Sequence, residues 1–336
     1  MRYVPEFDGL RAVAVLLVMA GHARLIGFAD GGLVGVTIFF VLSGYLITGV
    51  LIADGARKIT QLGPFYARRA ARLLPAVAIL LATVSVVALT TGAWSQVATG
   101  VLSAALYVAN FADASGANMG PLEHTWSLAT EEQFYFIWPA LLLLIGRSRG
   151  LVTLVVVAIA AIALTRAVSA GDDRTLWSIF HLPITRADAL LVGCAAQLLR
   201  IGRPQRTLAL LAMSFLTLIV VAGLAPATTI RYLLLPVALA ALVILLARPA
   251  ILARRPFVPI GRISYGLYLW HYPLAVVFGP IGILAAFPVA AASYALVEHP
   301  VRDAVRRRLL DRPLQPTAPP GPGATGGANQ TSRIGD

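Results

Sequence analysis

Residues 33–53 read LVGVTIFFVLSGYLITGVLIA, a stretch without a single charged side chain. About twenty apolar residues make a helix long enough to cross the hydrocarbon core of a bilayer. In hydrocarbon every backbone N–H and C=O needs an internal partner, so such a run must be helical. Working outward from it, comparable runs lie near residues 10–27, 73–91, 96–112, 126–146, 151–168, 184–200, 207–225, 229–247, 262–279 and 281–298. None has the residue-by-residue alternation over about ten positions that marks a membrane β-barrel. The expected class is an all-α polytopic membrane protein.

Composition agrees with that class and removes others. The chain has 336 residues, 58% hydrophobic and 12% charged. Soluble domains carry about 25% charged residues. Such apolar content excludes disorder for the bulk of the chain. The net charge is +12, from 27 Lys and Arg against 15 Asp and Glu. A nucleic-acid binder shares the charge but not the apolar content, so no nucleic-acid partner is expected. The single cysteine, Cys194, excludes a disulfide scaffold or a multi-cysteine metal centre. No metal cofactor is expected, and Cys194 itself reads as a small packing residue.

The arginines orient the chain, because basic residues collect in cytoplasmic loops. Clusters lie at 57–72, 147–149, 200–206, 248–262 and 302–312. Placing the first two on one side demands an even number of crossings between them, yet three apolar runs intervene. The weakest is 96–112, which contains Gln96, Thr99, Gly100, Ser103 and Asn110. It is read as a re-entrant or interfacial segment on the outer side. That leaves about 10 transmembrane helices with both termini cytoplasmic. Five basic residues then fall outside (Arg24, Arg166, Arg174, Arg186 and Arg231) and the other 22 of 27 inside. The first run reads as a retained span, since Glu6 and Asp8 precede its apolar core and do not suit a cleaved leader. Residues 1–302 form the membrane domain. Residues 303–336 form a basic, then Pro- and Gly-rich, cytoplasmic tail expected to be disordered.

Charged groups at membrane depth are expensive, so each is a functional candidate. Arg11 and His22 are eleven residues apart, about 16 Å along a helix and on nearly the same face. A plain reading is a surface anchor plus a histidine bonded to a neighbouring helix. In the stretch from His124 to Trp138, His124, Ser127, Glu131, Tyr135 and Trp138 recur in steps of three or four and form one stripe. Glu131 falls at a depth comparable to His22, and a carboxylate there would orient an imidazole acting as a base. Its neighbour Glu132 makes a second glutamate, one of the pair being expected to face solvent. Arg68, Arg69 and Arg72 precede a span, where guanidinium forks suit a phosphate group, though juxtamembrane arginines also serve topology alone. Trp126, Arg186, Asp188, Tyr268 and His271 are lesser substrate-binding candidates. Arg186 and Asp188 also suit capping and pairing, and His271 suits an interhelical hydrogen bond. Ser43 and Gly44 read as helix-packing residues.

These segments resemble the acyltransferase 3 family of integral membrane O-acyltransferases over about residues 5–302. The motifs, in order, are Phe7-Asp8-Gly9-Leu10-Arg11-Ala12 followed by His22, then residues 35–44 (GVTIFFVLSG). Next come Phe65-Tyr66-Ala67-Arg68-Arg69 with Arg72-Leu73-Leu74-Pro75, and His124-Thr125-Trp126-Ser127-Leu128 with Glu131-Glu132-Gln133-Phe134-Tyr135. The last are residues 261–271 (GRISYGLYLWH) and Glu298-His299-Pro300. The resemblance implies transfer of an acyl group, acetyl or another short chain, from acyl-CoA. The acceptor it implies is a hydroxyl on a sugar of a cell-surface glycan, glycolipid or glycosylated metabolite. It implies His22 as catalytic residue with Arg11 as its partner, and Arg69 and Arg72 at the CoA phosphates, with Arg68 beside them. Thr37 departs from the aspartate common at that position in the family. A stand-alone form without a fused esterase-like domain is expected. On this reading Glu131 holds the His22 ring, and either general-base transfer or an acyl-histidine relay operates. The alternative is a secondary transporter or flippase, whose helices also bury charges.

Overall fold

The computed structural model describes residues 3–23, 31–55, 62–169, 179–222 and 227–310. Arg24, Arg57, Lys58, Arg174 and residues 311–336 lie outside them; residues 303–310 of the tail expected to be disordered are instead the end of a helix that starts at His299. Among the described residues every regular element is a helix. They are α1 (Pro5–His22), α2 (Gly31–Asp54), α3 (Gly63–Thr90), α4 (Trp94–Ala105), α5 (Ala109–Ala114) and α6 (Trp126–Ile145), the last entered through a 3₁₀ turn at Gly120–Thr125. Then follow α7 (Arg149–Ser169), α8 (Pro183–Leu198), α9 (Arg206–Ala222), α10 (Ala227–Ala247) and α11 (Phe257–Arg262). The chain ends in α12 (Ser264–Phe278), α13 (Pro280–Ser293), a π-helical turn at Tyr294–Glu298 and α14 (His299–Leu310).

Proline opens α1, α3, α8 and α13, where its missing N–H costs nothing. Interior prolines at 75, 139, 236, 273 and 288 are tolerated, as membrane helices allow.

Among the described residues five stretches are long and apolar enough to cross a membrane unaided: Gly31–Asp54, Gly63–Thr90, Gly120–Ile145, Arg149–Ser169 and Pro280–Arg308. α1 falls short of that criterion because Glu6, Asp8 and Arg11 lie within its 18 residues. The lipid-facing surface is plain in α7, an apolar helix that buries only Leu151, Val155 and Arg166. Leu144, Leu296, Val168 and Ile281 are likewise exposed. Such surface needs a bilayer, not water.

Run 96–112 is not one helix. It breaks into α4 and α5, joined through Tyr107, which has a φ of 55°. Twelve residues of α4 rise about 18 Å, too short to cross. Protein covers part of its polar surface, while Gln96 and Thr99 are exposed: Ser103 is buried, and the fully buried Asn110 side chain exchanges hydrogen bonds with Gln133 of α6 at 3.1 and 2.8 Å. Gln133 also donates to the Tyr107 carbonyl at 2.9 Å.

α2 is the central helix, flanked by α1 and α8. Small residues allow the α2–α8 approach. A Cβ on Gly44 would sit 1.9 Å from the Leu190 carbonyl oxygen, and one on Gly193 would sit 2.1 Å from that of Val41. This is the close backbone packing that membrane helices use in place of large apolar side chains. It matches the packing role read for Gly44, and buried Cys194 shares the interface, its Sγ 3.5 Å from the Gly44 carbonyl.

Candidate active site

α1, α2, α3, α6 and α12 enclose a cavity of about 220 Å³. Arg11, Arg69 and Arg72 line it, together with Ser43, Ser127, Glu131, Tyr135 and Tyr268. Ser127, Glu131 and Tyr135 thus share one face of α6, as their spacing predicts. The stripe ends there. Trp138 instead donates from Nε1 to Thr48 Oγ1 at 2.9 Å within a separate apolar cluster.

The three arginines of α3 have three different situations. Arg68 is exposed and pairs with Asp54 at 2.6 Å, away from the cavity. Arg69 pairs with Glu132 through two hydrogen bonds, and its guanidinium carbon lies 3.1 Å from the centre of the Tyr135 ring. Arg72 has no hydrogen bond or ion pair among the described residues and opens into the cavity. α3 begins ten residues before the apolar run at 73–91, so all three arginines are already helical. Glu132 is buried against Arg69, not solvent-facing, because α6 presents it to α3. At the start of α1, Asp8 holds Arg11 at 2.6 Å and accepts from the Tyr3 hydroxyl at 2.8 Å.

Three histidines gather beyond Tyr268. His22 Nδ1 lies 2.9 Å from His271 Nε2. The His124 ring centre is 5.5 Å from that of His271. His271 Nδ1 lies 2.8 Å from the Tyr268 carbonyl and 3.1 Å from that of Leu267. A carbonyl can only accept, so Nδ1 of His271 carries its proton and Nε2 is bare. Nδ1 of His22 must then donate to that bare nitrogen. With both rings neutral, His22 Nε2 is left as an acceptor with no hydrogen bond among the described residues, the form a base needs.

This corrects the expected partner of His22. Glu131 instead accepts hydrogen bonds from the Ser43 hydroxyl and, at 2.7 Å, from Tyr135. α6 aims Glu131 toward α2, whereas α12 packs along α1 and delivers His271 to its end. Ser43, read from sequence as packing, belongs to the cavity. Tyr268 joins cavity and histidines. Its hydroxyl lies 2.5 Å from Ser127 Oγ and donates to the His124 carbonyl at 2.9 Å. Its ring is 5.7 Å from His271 and 5.6 Å from His124. Both ring nitrogens of His124 are buried and have no hydrogen bond among the described residues.

The remaining candidates fall elsewhere. Trp126 stacks on His181 with ring centres 4.1 Å apart. Asp188 pairs with Arg166 at 2.5 Å and not with Arg186. Arg186 is buried among Phe40, Trp126 and Phe180, and its one hydrogen bond among the described residues is 3.4 Å long, to Thr37 Oγ1.

A family profile described as an acyltransferase domain, that of the acyltransferase 3 family, matches residues 4–297. The chain belongs to the acyltransferase 3 family. The peptidoglycan O-acetyltransferase OatA of Listeria monocytogenes is 32% identical over 90% of this chain and 56% of its own length. The putative peptidoglycan O-acetyltransferase YrhL of Bacillus subtilis is also 32% identical, over 90% and 55%. The O-acetyltransferase OatA of Staphylococcus aureus is 30% identical, over 90% and 57%. The chain therefore spans a little over half the length of these relatives. No solved structure matches it.

For an acyltransferase 3 chain the sequence left one part of the cavity unread. Ser264 and Tyr265 line it from α12, and Tyr265 also reaches the Leu73 carbonyl at 3.2 Å. Their signal was present in residues 261–265, inside a family motif, but neither side chain is charged.

Proposed function

We propose that this chain is a multi-pass membrane O-acyltransferase acting on a cell-surface glycan. The donor is acyl-CoA, with an acetyl group favoured by the names of the relatives. The acceptor is a sugar hydroxyl of peptidoglycan or a related glycan. The chain crosses the membrane ten times with both termini cytoplasmic, and α4 and α5 form a re-entrant outer segment. The arginine-lined mouth of the cavity then opens to the side where CoA is found.

One observation carries the reading. A cavity with three arginines at its lining reaches Tyr268, and immediately behind Tyr268 a histidine pair leaves one imidazole nitrogen free. Arg72, with no ion pair of its own, is the strongest donor contact. Arg69 is engaged with Glu132 and acts chiefly to hold α3 against α6. Arg11 shares the mouth. The uncharged arm of the donor lies in the cavity between α2 and α12, and Tyr268 must swing aside for the thioester to meet His22.

In the transfer, the acceptor oxygen attacks the thioester carbonyl while His22 Nε2 takes the hydroxyl proton. The C–S bond then breaks, the ester C–O bond remains, and the proton passes to the leaving thiolate. His271 is a positioning residue that fixes the tautomer of His22. Ser127 and His124, beside Tyr268, bound the acceptor side. Arg186 and Asp188 shape the helix behind it.

The test is reconstitution of the purified chain in liposomes with labelled acetyl-CoA and peptidoglycan fragments. CoA release that depends on the acceptor, with label on the glycan, supports the proposal. A folded, inserted His22→Ala protein that transfers at the normal rate would overturn it.

A further inference from the structure

We infer that a second, polar cavity beside the first is the binding site for the nucleotide polyphosphate end of the donor. The inference rests on the acyl-CoA reading above and deepens it. This cavity has a volume of about 410 Å³ and is lined by Tyr3, Asp8, Arg11, Arg72, Arg262, Tyr294, Glu298 and Arg302 among others. It shares Arg11, Arg72 and Tyr265 with the apolar cavity, so the two adjoin.

The charge inventory points to an anion. Four arginines face two carboxylates, a surplus of two positive charges (4 − 2). Both carboxylates are occupied. Asp8 is taken by Arg11 and Tyr3, and Glu298 accepts from Ser293 Oγ at 3.1 Å. Arg72, Arg262 and Arg302 have no carboxylate within ion-pair distance among the described residues. Arg262 and Arg302 reach only tyrosine hydroxyls, Tyr3 at 3.4 Å and Tyr294 at 3.2 Å. Three guanidinium forks from α3, α11 and α14 thus converge on one space, and none of them is in ion-pair contact with the carboxylates that share it.

Planar forks in that state suit phosphate oxygens, which accept two parallel N–H bonds. The Tyr3 and Tyr294 rings add flat faces suited to stacking a base. The volume is within the usual range for small-molecule sites, about 300–1,000 Å³. The order of the two cavities also matches the donor. A polar space holding a polyanion adjoins a narrower apolar one suited to an uncharged arm that ends in a thioester. The residues added to the donor site are Arg262, Arg302, Tyr3 and Tyr294, none of which lies in the Arg68–Arg72 segment.

The experiment measures equilibrium binding of CoA and of pantetheine, which lacks the nucleotide, to the purified full chain in neutral detergent. Arg262→Gln and Arg302→Gln should each weaken CoA binding at least tenfold and pantetheine binding less than threefold. Arg262→Lys and Arg302→Lys should recover part of the loss, with melting temperatures close to the parent's. Adenosine 3′,5′-bisphosphate should displace CoA. Unchanged CoA affinity in folded Gln variants would overturn the inference and leave the donor reading intact. So would displacement of CoA by phosphatidylglycerol but not by the bisphosphate, which would mark a lipid-headgroup site. A parent chain that binds neither CoA nor pantetheine would overturn the donor reading and this inference together.

Discussion

His22, at the end of α1, faces His271, in the middle of α12, Nδ1 to Nε2 at 2.9 Å, with the far nitrogen of His271 tied to its own helix. This arrangement separates a reacting ring from a supporting ring. Replacing His22 by Ala should lower the transfer rate by about 10²–10⁴, the usual worth of a positioned base. Replacing His271 by Ala should cost about 10–100-fold in kcat, with the KM for donor nearly unchanged. Steady-state kinetics at saturating acceptor measure both. Equal collapse of kcat and donor KM in His271→Ala would argue that His271 holds the donor instead.

The arginines of α3 should separate by assay. Arg72→Gln should raise the donor KM with little change in melting temperature, since that side chain gives up no ion pair. Arg69→Gln should chiefly destabilise, because it leaves Glu132 buried and unpaired, a loss of about 3–5 kcal/mol. Arg68→Gln should do neither, as exposed pairs are worth about 0–1 kcal/mol. Thermal melts in detergent alongside donor titrations distinguish the three.

Among the described residues Arg186 has no carboxylate within ion-pair distance, and its Nε has no hydrogen bond. Thr37, 3.4 Å away, occupies the position where an acidic side chain would meet it. Thr37→Asp should therefore supply a charged hydrogen bond worth about 1.5–3 kcal/mol. The expected result is a rise in melting temperature of a few degrees, about 2–4 °C per kcal/mol in a large domain. A fall would mean that Arg186 is already neutralised by its surroundings.

Gly44→Ala should be costly although it adds only one methyl group. The new Cβ would stand 1.9 Å from the Leu190 carbonyl oxygen, so α2 and α8 must part. Overpacking of this kind costs about 1–3 kcal/mol or more. The loss should be visible as a lower melting temperature and a lower yield of monodisperse protein, whereas Gly32→Ala, with open space around it, should leave both unchanged.

The apolar runs were legible because the rule behind them is local. A segment that must satisfy its own backbone in hydrocarbon becomes a helix whatever its neighbours do. The same rule exposed residues 96–112 as too polar to cross, and that segment is two short helices capped by Gln133. Helical spacing likewise placed Ser127, Glu131 and Tyr135 on one face. Partners were not legible. Nothing in the chain order says that Glu131 meets Ser43 from 88 positions earlier, or that His22 meets His271 from 249 positions later. Those pairings follow from which helices touch, and that depends on where glycine lets backbones approach. Periodicity tells which way a side chain leaves its own helix, but only the packed bundle supplies what it finds there. Hence Glu132 turned out to hold Arg69, Asp188 to hold Arg166, and Arg72 to stand free at the junction of two cavities.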